Sequence, residues 1–183
     1  MLALSGAACS EDASSSDNLI INGSFEQTES MKEADFGFKG EIPGWISIEP
    51  IYAEIVRGGV ADMPAADGSF WLDTGQSADS VIRISQAVLG LTSGAQLKLV
   101  FHAGQWREPS EAPDETLNVY WNGDLVASVR PEAVSGYEKF EFDLVAGTGD
   151  GSDTLRFDGV SDGSKDHQGV ALDNIVLTEA DSS

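Results

Sequence analysis

Leu97-Lys98-Leu99-Val100-Phe101 places Leu97, Leu99 and Phe101 on one side of an extended chain. A period of two is the pattern of a strand with one buried face. The alternation returns in Phe140, Phe142 and Leu144, with Glu141 and Asp143 facing away. It returns again in Leu155 and Phe157, with Thr154, Arg156 and Asp158 opposite, and in Ile82 and Ile84, with Arg83 and Ser85 opposite. One-sided segments of this kind are expected of antiparallel sheets with a wet face. Turn signals separate them at intervals of about 8–12 residues, the spacing of an all-β sandwich or barrel. The best turn is Trp121-Asn122-Gly123-Asp124, because Asn-Gly accepts the positive φ of a type I′ hairpin and strand-like runs flank it. Asn22-Gly23, Gly58-Gly59, Asp67-Gly68, Thr92-Ser93-Gly94 and 147–151 are further breaks. About ten strands are predicted, and no stretch reads as an amphipathic helix. The longest loops fall at Gln27–Gly44 and Gly104–Glu115. Loops of that length are often functional.

The chain has 183 residues, the size of one domain. Its formal charge of −21 excludes nucleic acid as a partner, since phosphate binding needs Lys and Arg to displace counterions. The same charge opposes an anionic membrane surface and favours cations. Apolar residues make up 41%, enough for a packed core. No run approaches the roughly 20 apolar residues of a membrane span. The single cysteine, Cys9, forbids an internal disulfide. Residues 1–17 are small, polar and non-periodic, and are predicted to form a tail before a sandwich domain over 18–179, with a second short tail at 180–183. Met1–Ala8 is apolar and small and runs straight into Cys9, like the end of a lipoprotein signal peptide, but it has no basic start and is short. Two readings stay open: a linker, or a lipidation site at Cys9 that would anchor the domain.

Blocks along the chain carry a resemblance. Asn18-Leu19-Ile20-Ile21-Asn22-Gly23-Ser24-Phe25-Glu26 opens it, and Pro43-Gly44-Trp45 and Asp67-Gly68-Ser69-Phe70-Trp71-Leu72-Asp73 follow. Ile84-Ser85-Gln86-Ala87-Val88 leads to Leu91-Thr92-Ser93-Gly94, and the close is Gly169-Val170-Ala171-Leu172-Asp173-Asn174-Ile175-Val176-Leu177. In this order they resemble the galactose-binding-like jelly-roll domains, which include carbohydrate-binding modules and domains of large secreted calcium-binding bacterial proteins. The resemblance implies a two-sheet antiparallel jelly-roll sandwich with its first and last strands side by side. It also implies a structural calcium ion (Ca2+) held by Glu26 and Asp173, with Asp67 or carbonyls beside it as a third ligand. Calcium takes six to eight oxygens in irregular geometry, which suits such a set. The alternative is that Glu26 caps a turn and Asp173 pairs with an arginine.

No H-E-x-x-H, C-x-x-C or G-x-S-x-G pattern occurs, so nothing points to a zinc enzyme or a serine hydrolase. Sugar sites need an aromatic ring for stacking and planar polar groups for hydroxyls. Trp45 and Trp121 read as core, and Trp71 is ambiguous. Trp106 sits in the polar stretch Gly104-Gln105-Trp106-Arg107-Glu108 and is the first-choice platform, with Gln105 and Arg107 beside it. His102, Asn118 and Tyr120 are expected to line the same sheet. The alternative for Trp106 is that it covers a sheet edge. Asp158, Asp162 and Asp166 read either as a second calcium site or as a solvated acidic loop. Thr148-Gly149-Asp150-Gly151-Ser152-Asp153-Thr154-Leu155 matches a calcium-binding nonapeptide, but a single copy reads as a hairpin loop. Two functions remain. The first is a non-catalytic, calcium-stabilised module that binds glycan at an extracellular or cell-surface location. The second is a structural or adhesive surface domain that assembles through calcium and sheet edges.

Overall fold

The alternating segments pair into two antiparallel sheets. The structure, a computed structural model, describes residues 18–28, 36–39, 42–47, 53–75, 82–106, 115–160 and 169–180. Among these are eleven strands: β1 (Phe36–Lys39), β2 (Ile46–Ser47), β3 (Ala53–Arg57), β4 (Phe70–Asp73), β5 (Ile82–Ala87), β6 (Gln96–Gln105), β7 (Thr116–Trp121), β8 (Asp124–Val129), β9 (Glu138–Val145), β10 (Thr154–Val160) and β11 (Val170–Glu179). One sheet has the order β1-β3-β4-β11-β6-β9 and the other β2-β5-β10-β7-β8. The strands are those of an all-β sandwich, as the alternation predicts, and the two sheets form the jelly-roll sandwich that the resemblance implies. Cys9, Arg107, Asp162 and Asp166 lie outside the described residues.

The inward faces form the core. Leu97, Leu99 and Phe101 of β6 are buried, as are Leu117, Val119 and Trp121 of β7 and Leu155 and Phe157 of β10. Aromatic rings link the two layers. Phe101 stacks on Phe140 at 5.5 Å between centroids and meets Phe157 edge-on at 5.3 Å. Phe157 continues to Trp45, and Trp45 to Phe25. Phe25 holds a left-handed φ of 60° while fully buried, a conformation costly for a bulky side chain unless its surroundings impose it.

The opening segment runs beside β11. Leu19 N–H donates to Leu177 O, and Ile175 N–H donates to Gly23 O. Asn18 bridges the same pair, accepting from Ile20 and Leu177 N–H and donating to Ile175 O. Gly23 is required here, because a Cβ would lie 2.1 Å from Ile175 O. β11 bulges between Asp173 and Val176, with Asn174 left-handed at φ 49°. A bulge bends the strand and re-aims its side chains.

Both central residues of the β7–β8 hairpin, Asn122 (φ 52°) and Gly123 (φ 89°), adopt the positive φ that the sequence predicts. The nonapeptide-like stretch is closed by its own Asp153. That carboxylate is buried and accepts from Asn122 Nδ2 at 2.6 Å, Gly147 N–H at 2.8 Å and Gly149 N–H at 3.3 Å. It therefore works as a hairpin-loop anchor. Asp153→Ala should lower unfolding stability by about 3 kcal/mol, by leaving several buried donors unpaired. Denaturant melts should show the same loss with calcium as with chelator.

Candidate functional site

Two exterior faces are available, one per sheet, and they differ in what covers them. On the six-stranded sheet, Val56, Trp71 and Ala171 point outward and are buried under Met63, with Val60, Ala65, Trp106 and Tyr137 packed around them. Tyr137 hydroxyl donates to Pro64 O at 3.0 Å and fastens this cover. The segment between β3 and β4 thus closes over the sheet.

Three carboxylates hold that segment. Glu26 Oε1 accepts from Ser69 N–H at 2.7 Å and Phe70 N–H at 2.8 Å. Asp173 Oδ2 accepts from Ala66 N–H at 2.7 Å and Asp67 N–H at 3.0 Å, and Oδ1 accepts from Asn174 N–H at 2.6 Å. Asp67 Oδ2 accepts from Ser24 hydroxyl at 2.6 Å. Glu26, Asp67 and Asp173 therefore meet at one loop, although they come from opposite ends of the chain. Asp173 is fully buried, and that burial pushes its carboxyl up to about 7 against the opposing pull of its backbone hydrogen bonds. Among the described residues no three His, Cys, Asp or Glu side chains gather closely enough to hold a metal ion. A calcium ion here would need main-chain carbonyls to complete its shell.

The residues expected to line one sugar site are divided. Trp106 lies against the six-stranded sheet, its ring edge-on to Trp71 at 5.1 Å, and both indole Nε1 atoms are buried without a hydrogen-bond partner among the described residues. It covers the sheet instead of offering a stacking platform. The reason is tertiary: Val56, Met63, Trp71 and Ala171 build an apolar patch on that face, and Trp106 packs against it. Gln105 is fully buried, its Nε2 donating to Glu115 O at 3.0 Å, and cannot reach a ligand. His102 is half-buried on the same outer face, opposite Asp173 and Lys139, and burial with the Lys139 charge holds it below the usual histidine range. Asn118 and Tyr120 point out of the other sheet altogether.

That second face carries a polar array. The registers align Ile46, Ser85, Arg156, Tyr120 and Leu125 in one row across all five strands. At the usual strand spacing the row spans about 19 Å. The adjacent row is Arg83, Asp158, Asn118 and Ser128. Asp158 is 4% exposed, and lies 3.3 Å from Arg83 Nε and 3.0 Å from Arg156 Nε. Arg156 also lays its guanidinium 3.9 Å over the Tyr120 ring. Asp158 is thus buried on a strand beside two arginines, which corrects both readings that placed it in an acidic loop, whether calcium-binding or solvated. Ile46 and Leu125, both more than half exposed, bound the row at its two ends. Arg156 and Asp158 were visible in the sequence only as the polar side of β10. Their meeting with Arg83, Ser85 and Tyr120 depends on register between distant strands.

The array depends on Asp158. Asp158→Ala should destabilise the fold by about 3 kcal/mol, because it leaves two arginines facing each other on a half-buried surface. Thermal or urea unfolding measures the loss. Glu26→Ala should cost about 2 kcal/mol by releasing two backbone donors, and hydrogen exchange should speed up at Ser69 and Phe70.

No protein-family model matches the sequence, and no curated protein does. Solved structures do match in three dimensions. A family 61 carbohydrate-binding module, solved with β-1,4-galactotriose, is 12% identical with a TM-score of 0.53, covering 90% of this chain and all of that one. A family 16 carbohydrate-binding module is 17% identical with a TM-score of 0.52, covering 88% of this chain and all of that one. An arabinose-bound α-L-arabinofuranosidase is 13% identical with a TM-score of 0.59, but only 26% of that enzyme is matched. At these identities the likeness establishes architecture: the chain is a jelly-roll sandwich of the kind seen in carbohydrate-binding modules.

Proposed function

We propose that this chain is a non-catalytic carbohydrate-binding module whose binding face is the outer surface of the five-stranded sheet. The observation that carries the reading is the Ser85–Arg156–Tyr120 row, with Asp158 ion-paired to Arg83 and Arg156. Sugar hydroxyls are best met by planar groups held still beforehand, since ordering long side chains at binding costs affinity. Asp158 and Tyr120 hold Arg156 in that way, and Asn118 adds an amide. Ile46 and Leu125 supply apolar surface for the faces of sugar rings. The fold shared with a module solved with galactotriose supports the same reading. A surface or extracellular setting suits the charge of −21, which keeps the chain soluble and draws cations.

Tyr120→Ala and Arg156→Ala should each weaken retention on a bound polysaccharide by about tenfold or more, equivalent to about 1.4 kcal/mol. Affinity electrophoresis, with the polysaccharide chosen from a glycan array, makes the comparison. Trp106→Ala should keep retention and lose stability instead. If Trp106→Ala loses retention while Tyr120→Ala keeps it, the site belongs on the other sheet. If no glycan is retained, the adhesive reading takes precedence.

Calcium stabilisation belongs to this proposal. Glu26, Asp67 and Asp173 bring three carboxyl groups to one loop, and the hydrogen bonds they receive come from neutral donors. A cation that binds only the folded state raises the melting midpoint by mass action. Calcium should therefore raise the midpoint of the chelator-treated chain, and Asp173→Ala should abolish most of that rise. An unchanged wild-type midpoint would remove calcium from this loop.

A further inference from the structure

The outer face of the five-stranded sheet reverses the charge balance of the chain. Its two aligned rows hold two of the 10 Lys and Arg residues, Arg83 and Arg156, and one of the 31 Asp and Glu residues, Asp158. Their polar companions Ser85, Tyr120, Asn118 and Ser128 are uncharged. The Asp158 side chain is 6% exposed, against 36% for Arg83 and 30% for Arg156. The charge that these rows show to solvent is therefore positive, on a chain of net charge −21.

Arg156 is held from two directions. Its Nε lies 3.0 Å from Asp158, and its guanidinium carbon sits 3.9 Å over the Tyr120 ring. A guanidinium carries five N–H donors, and these two contacts leave the terminal Nη groups to be matched. Among the described residues nothing accepts a hydrogen bond from them. A planar fork fixed in this way suits a bidentate oxyanion. A neutral polymer laid over the rows would strip water from two guanidinium groups and return only hydroxyls, leaving the desolvation of charge uncompensated. An anion compensates it. Acids elsewhere on the chain oppose that anion weakly, since the field of exposed charges is screened over about 8 Å at physiological salt. Building on the carbohydrate-binding reading of this face, we propose that its glycan is an anionic polysaccharide, with a carboxylate or sulfate ester group seated on the Arg156 Nη groups in the field of Arg83.

The test is affinity electrophoresis of the full chain in chelator, which removes calcium bridges between acidic surfaces. Polygalacturonate is compared with the same polymer after carboxyl reduction, and dextran sulfate with dextran. At least one anionic polymer should retain the wild type about tenfold or more strongly than its neutral counterpart, the scale of one charge-assisted hydrogen bond. That preference should shrink as NaCl rises from about 0.05 M to about 0.5 M. Preference for polygalacturonate assigns a carboxylate, and preference for dextran sulfate a sulfate ester. Arg156→Gln and Arg83→Gln should each erase the preference, and Arg156→Lys should keep part of it, as charge without the fork. The wild-type comparison carries the test if a variant does not fold. Neutral polymers retained as well as or better than their charged counterparts would overturn the anionic assignment and leave the carbohydrate-binding reading standing. Retention of no polymer, charged or neutral, would overturn both. An unchanged preference in folded Arg156→Gln and Arg83→Gln would also overturn the assignment.

Discussion

The bulge in β11 is the constraint on which the rest of the molecule depends. Asn174, turned left-handed, interrupts the ladder to β6 and leaves Ile175 N–H to pair with Gly23 O. That contact locks the opening segment onto the last strand. It also turns Asp173 toward the backbone of Ala66 and Asp67 while Glu26 takes Ser69 and Phe70. The segment between β3 and β4 is thereby drawn over one sheet, where Met63 and Tyr137 seal it. The five-stranded sheet has no such cover among the described residues. Closure of the chain and choice of face are two results of one local irregularity.

The two faces also differ in how they treat charge. On the outer side of the six-stranded sheet, Asp173 accepts from the N–H groups of Ala66, Asp67 and Asn174, and Asp73 accepts from Gly75 N–H. On the open face, Asp158 is neutralised by side chains, with Arg83 and Arg156 reaching it from either side. A chain with three times as many acids as bases has placed two of its ten cations on one sheet face. Breaking a buried pair costs far more than an exposed one, so these arginines are held by energetics as well as by geometry. A surface organised this way presents guanidinium planes in fixed orientation.

Trp106 shows why an aromatic ring in a polar stretch is a weak indicator of a binding site. Gln105 and Arg107 flank it, and nothing near it in sequence offers a core. The core it enters is assembled from β3, β4, β11 and the segment around Met63, all distant in sequence. Tyr120 carries the stronger claim through its neighbours: Arg156 stacks on it, and Leu125 stands across from it.

Alternation determined β5, β6, β9 and β10, because a half-buried strand demands a period of two whatever its neighbours are. Asn122-Gly123 determined its hairpin, because the two positive φ values are a local requirement. The resemblance carried by the opening and closing motifs implied that Glu26 and Asp173 lie close together, and both do meet the 66–70 loop. Tertiary structure alone decided which face is covered, that His102 and Tyr120 lie on opposite exteriors, and that Asp73 stands beside Glu54. Those outcomes depend on strand order and register. Both are fixed by cross-sheet packing and by the β11 bulge, and no local stretch of sequence encodes them.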